Sequence, residues 1–120
     1  MAKDDYDVIV FKLLTYLYAV AKRKIQYNKQ TFDAALKMEY INEEYFAYVV
    51  YMMLQEKLID GVKVIRVWGN EFILAGDISD AFITADGIHY LKENSRMKRA
   101  KEWFKENAEY ITKLITMIDI

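Results

Sequence analysis

The chain has no cysteine, no proline, four glycines and one histidine among its 120 residues. Without cysteine there is no disulfide, no thiolate nucleophile and none of the common structural zinc sites, and a single histidine excludes a multi-histidine metal site. The absence of cysteine also fits a reducing compartment. With no proline and little glycine, the chain should be mostly regular structure joined by short loops. There is no Ser-rich linker, no low-complexity tract and no internal repeat. Nor is there an excess of one charge: 17 basic residues stand against 18 acidic ones, so any affinity for nucleic acid must come from a local patch. No run of about 20 uncharged apolar residues exists to cross a bilayer. The longest apolar region, Val8 to Ala21, is interrupted by Lys12 and preceded by Asp4, Asp5 and Asp7, the wrong sign for a signal peptide, and the protein is read as cytoplasmic with no membrane partner.

What is present is 54% hydrophobic and 29% charged residues, the balance of a soluble globular protein. A chain of this length suits one domain over residues 1–120, with a core to residue 95 and a C-terminal helix over 96–120. Acidic residues followed by Lys22, Arg23 and Lys24 mark a first helix from about Asp4 to Arg23. Its apolar residues lie almost all round, as in a central pillar or a dimer core. A short helix at Thr31 to Met38 takes Thr31 as its cap. A third helix, capped by Asn42, runs from Glu43 to about Lys57 and turns Phe46, Val49, Val50, Met53 and Leu54 inward. β-Branched residues then take over in Val62 to Trp68, Gly69-Asn70 reads as a two-residue hairpin loop, and Glu71 to Leu74 return. Thr84 caps a short helix in which Gly87 leaves room for a neighbouring backbone. Ser95 is read as the cap of a long last helix reaching Ile118. This order predicts a mainly α fold with a small β-hairpin wing (α+β), a winged helix-turn-helix with a long C-terminal helix.

Two stretches carry a family likeness: Ile41-Asn42-Glu43-Glu44-Tyr45-Phe46 leading to Leu58-Ile59-Asp60-Gly61-Val62, and Ile83 through Ser95 with Thr84, Gly87 and Leu91. Together they resemble the YjcQ-like family, small winged-helix proteins of Gram-positive bacteria and their phages, over roughly Asp7 to Trp103. The resemblance implies a winged-helix fold of unassigned biochemical role, often presumed DNA-associated. The Thr84-x-x-Gly87 element also resembles the post-wing helix start of PadR-like regulators, which dimerise through a long C-terminal helix.

No catalytic constellation stands out. His89 has no Ser, Cys or carboxylate at triad spacing, Asp4-Asp5 and Glu43-Glu44 sit where helix dipoles favour them, and no phosphate loop or dinucleotide fingerprint is present. The expectation is a non-enzymatic binding module without metal or cofactor, read first as a DNA-associated regulator and, as the alternative, as a protein-interaction module. Double-stranded DNA would be met at phosphates by Lys22, Arg23, Lys24, Lys63, Arg66, Arg96, Lys98 and Arg99, with Gln55 able to read adenine. A protein, such as a host protein targeted by a phage-encoded module, would be met by Tyr45, Tyr48, Tyr51 and Met52, since the third helix carries Glu43, Glu44 and Glu56 against Lys57 and presents tyrosine where a DNA reader presents polar or basic groups. Homodimerisation is expected through Trp103, Ile111, Leu114, Ile115 and Ile118, a stripe continuing almost to the last residue.

Overall fold

A computed structural model describes residues 1–120. The first helix, α1 (Tyr6–Ala21), is capped by Asp5, whose carboxylate accepts from the Asp7 N–H. Every residue from Val8 to Ala19 is buried. Its all-round apolarity therefore has an intramolecular cause: the other helices pack around it. The elements that follow it are α2 (Lys29–Leu36), α3 (Glu43–Gln55), β1 (Ile59–Asp60), β2 (Lys63–Val67), β3 (Glu71–Ala75), β4 (Phe82–Ile83), α4 (Ala85–Glu93), α5 (Ser95–Glu106) and α6 (Tyr110–Ile118). The order is that of a winged helix-turn-helix, with β2 and β3 as the wing.

Several boundaries differ from the sequence reading for local reasons. Arg23 and Lys57 adopt left-handed backbone at φ 62° and 61°, which stops α1 and α3 before them. Asn28, not Thr31, caps α2: its side chain accepts from the Thr31 N–H while the Thr31 hydroxyl donates back to the Asn28 carbonyl. Asn94, one residue ahead of Ser95, caps α5 by accepting from the N–H groups of Arg96 and Met97. The hairpin loop has three residues, Trp68-Gly69-Asn70, because Val67 pairs with Glu71; Gly69 and Asn70 carry the positive φ angles the turn needs. The two-residue strands β1 and β4 are additional, pairing Ile59 with Ile83 and Asp60 with Phe82.

The long C-terminal helix is broken. At Asn107 both the backbone N–H and the side-chain amide donate to the Trp103 carbonyl, the Thr112 hydroxyl donates to the Phe104 carbonyl, and Thr112 Oγ1 accepts from the Glu109 N–H. Side chains thus take over backbone partners that a continuing helix would use. An unbroken helix from Ser95 to Ile118 would extend roughly 36 Å and carry its last apolar turns off the body. The break instead lays α6 along α1, and of the stripe expected to carry a dimer contact Ile111, Leu114, Ile115 and Ile118 are buried within their own chain. Trp103 is half-buried, its ring edge on Phe104, which stacks on Phe11.

The wing has two faces by the period-two rule. Val64, Arg66, Phe72 and Leu74 lie on the α3 side, with Val64 opposite Leu74 and Arg66 opposite Phe72. Ile65 and Ile73 pair on the outer side, each 50% exposed.

Candidate functional site

The site of interest lies between the outward side of α3 and the inner face of the wing. Asn42 fixes the start of α3, its side-chain oxygen accepting from the N–H groups of Glu44 and Tyr45. From that start, helical spacing places Tyr45, Tyr48 and Met52 in one row, with Tyr51 beside them. The wing contributes Arg66, Asn70 and Phe72, and a cleft of about 680 Å³ separates the two walls.

Phe72 organises the cleft. Its ring lies 5.0 Å from that of Tyr48 and 4.9 Å from that of Tyr51, centroid to centroid, so both tyrosines rest on the wing through their ring bodies. Tyr48 keeps 38% exposure, whereas Tyr51 and Met52 are half-buried. The Arg66 guanidinium donates to Asn70 Oδ1 at 2.6 Å, which ties it to the loop at the wing tip. Tyr45 is half-buried, and its phenol is pushed up chiefly by that burial and then by Asp4, Asp5, Tyr48 and Asp7, so it stays protonated and able to donate. The cleft therefore offers broad aromatic area, phenolic hydroxyls, two side-chain amides and one charge of each sign, Glu44 and Arg66. It pairs no nucleophile with a base.

The structure brings all four tyrosine-face residues together and adds Arg66 to them. It does not unite the remaining basic candidates. Lys22 and Lys92 approach the Tyr18 ring at 5.3 and 5.7 Å, and Lys92, Lys98 and Lys101 border a recess with Asp119 and Ile120. Lys22 and Lys98 thus share the far end of α1, a helix about 24 Å long by its rise per residue, from the acidic start near Tyr45. Lys22 is also engaged, donating from Nζ to the Ile118 carbonyl. Arg23 donates to the carbonyls of Val20 and Ala21, closing its own helix end. Arg96 is exposed beside Tyr90, whose phenol is pushed up by burial and by Glu56 and Asp7 and lowered by Arg96. Lys24 and Arg99 are exposed, Gln55 is exposed at the end of α3, and Lys63 is exposed at the base of the wing.

Phe72 and Asn70 were not placed in any site by the sequence reading. The alternation in Glu71-Phe72-Ile73-Leu74 held the signal, because it sets Phe72 and Leu74 on one side of a hairpin that must cover α3. His89 is exposed, no cluster of His, Cys, Asp or Glu could hold a metal ion, and no helix is long and apolar enough to cross a membrane.

Among protein families, the model described as YjcQ protein matches residues 11–110. No curated protein and no solved structure matches the chain. The family match reaches from Phe11 in α1 to Tyr110 at the start of α6, takes in α2, α3, the wing and the cleft between them, and on that extent the chain belongs to the YjcQ family.

Proposed function

We propose that this YjcQ-family chain is a non-enzymatic docking module that takes a protein partner in the cleft between α3 and the wing. The observation that carries the reading is Trp68, 97% exposed at the wing tip, beside a cleft walled by Tyr45, Tyr48, Tyr51, Met52 and Phe72. Aromatic side chains offer large contact area at low entropic cost, and protein interfaces use them as anchors. DNA association is the weaker reading. It needs phosphate contacts on one surface, while Arg66 lies at the wing and Lys22 and Lys98 lie at the far end of α1. The helix that would enter a major groove begins with Glu43 and Glu44.

Two measurements test this. Fluorescence anisotropy of labelled duplex DNA at about 50 and 200 mM salt should give no saturable binding at the lower salt, where phosphate contacts are strongest. Affinity capture from cell extract should yield a partner that survives nuclease treatment and the Lys98→Ala change but is lost with Tyr48→Ala and Tyr51→Ala together. Saturable DNA binding that weakens steeply with salt and disappears with Arg66→Ala would overturn the proposal.

A further inference from the structure

Phe72 also lines a second cavity, of about 500 Å³, bounded by α2, the first turns of α3, β3 and the turn that follows it. Its floor is aromatic and aliphatic. Tyr27 and Phe32 lie 5.6 Å apart, Phe32 and Phe46 lie 6.4 Å apart, and Phe72, Leu74 and Ile78 close the wing side. Four carboxylates, Asp33, Glu43, Glu44 and Asp77, line the same cavity with a single cation, Lys29, already paired with Asp33 at 3.0 Å. That leaves three negative charges in excess. The α3 N-terminus offsets about half an elementary charge near Glu43 and Glu44, which does not reverse the sign.

The groups hold their charge states by contacts within the fold. Asp77 accepts from the Ser79 N–H, which keeps its carboxyl below the usual range, and Lys29 adds to this. The Tyr27 phenol is pushed up by burial and by the neighbouring Asp77, Tyr16 and Asp33, so it remains neutral. Gly76, at φ +92°, turns the chain so that Asp77 and Ile78 come over the cavity after β3 ends.

We propose that this cavity binds an amphipathic organic cation, a small molecule carrying one positive charge on an apolar body. The partly exposed rings of Tyr27 and Phe72 attract a cation through their quadrupole, carboxylates add direct attraction, and the apolar lining accepts the body. The volume lies within the roughly 300–1,000 Å³ typical of small-molecule sites. Phe72 and Glu44 line both this cavity and the docking cleft, but the inference does not rest on the docking reading, since none of its steps uses a protein partner.

The probes are tetraphenylphosphonium and tetraphenylborate, two ions of nearly equal size and opposite charge, titrated calorimetrically into the full chain. The phosphonium should bind saturably and at least about tenfold more tightly than the borate, a margin in keeping with cation–aromatic attraction aided by carboxylates. Glu44→Gln with Asp77→Asn should close most of that gap; both side chains are exposed and the replacements are near-isosteric, so circular dichroism should be unchanged. Amide shifts should move at Phe32, Phe46 and Phe72. Equal affinity for the two ions, no saturable phosphonium binding, or undiminished binding by the double variant would overturn the site. Capture of a Lys/Arg-rich peptide by a cavity that ignores the phosphonium would also overturn it, in favour of a peptide groove.

Discussion

Lys12 is the one charged side chain in the core, 1% exposed, with Nζ 3.0 Å from Glu109 Oε1 and 5.1 Å from the centre of the Phe104 ring. Burial pulls its ammonium below the ordinary lysine value, while the hydrogen bond and charge of Glu109 pull the other way and do not fully compensate. The pair fastens α1 to the break between α5 and α6, so it fixes where α6 docks. Removing one partner of a buried pair leaves a charge without compensation, which typically costs about 3–5 kcal/mol. Glu109→Ala should therefore destabilise the chain by about 3 kcal/mol near neutral pH, the lower end because the Glu109 carboxylate retains some contact with water. Lys12→Met combined with Glu109→Gln should lie within about 1 kcal/mol of the native chain, since an apolar side chain of similar volume suits the site. Urea denaturation of the single variant and the double variant measures both. A Glu109→Ala chain as stable as the native one would mean that the pair does not anchor α6.

At the scale of elements, a close joint forms between the end of α3 and the start of α4. The Thr84 hydroxyl donates to the Lys57 carbonyl and also accepts from the Gly87 N–H, while the Thr84 N–H donates to the Leu58 carbonyl. A Cβ on Gly87 would overlap the Leu58 carbonyl oxygen and press on Ile83. Backbone cannot step aside as a flexible side chain does, so Gly87→Ala should cost at least about 2 kcal/mol, although alanine ordinarily favours a helix interior over glycine. Thermal unfolding followed by circular dichroism should show a clear fall in Tm, and a rise would remove the close-contact argument. This joint was legible in sequence because Thr84 and Gly87 are local signals with a fixed spacing. The order of elements and the Asn42 cap were legible for the same reason. The break after Glu106 was not, since neither glycine nor proline marks it; it arises from Asn107 and Thr112 side chains and from Lys12, which is 97 residues from Glu109 in the chain. The cleft was half legible. Helical spacing groups the tyrosines of α3, but only the register of the hairpin brings Phe72 and Arg66 over them.

Across the whole molecule, half-buried phenols and one buried ammonium set opposing dependences on pH. Tyr6 is raised from 10.0 to about 12, first by burial and then by Glu56, Tyr90 and Asp7, and Tyr27, Tyr45 and Tyr90 are raised chiefly by burial. A folded-state pKa above the unfolded one means that the native chain keeps its proton after the unfolded chain has lost it. That contribution is complete below pH 10 and drains away as pH climbs from 10 toward 12. Lys12 acts the other way: its folded value is depressed, the unfolded chain binds the proton more readily, and stability rises as pH approaches the unfolded value of 10.5. The sum is a stability that is level or rising into mild alkali and then falls above about pH 10 as the phenols come to dominate. Urea midpoints taken from pH 8 to 11.5 should trace this turn. Lys12→Met should remove the rise below the turn, and Tyr6→Phe should make the fall above it shallower, each leaving the other limb in place. Tyr6 at the start of α1 and Tyr90 near the end of α4 both feel the charge of Glu56, just past the end of α3, and Tyr45 feels Asp4 and Asp5, before α1. The alkaline limb therefore reports the closure of these elements around α1, and a Tyr6→Phe profile that superimposed on the native one would show that this corner opens before the chain unfolds.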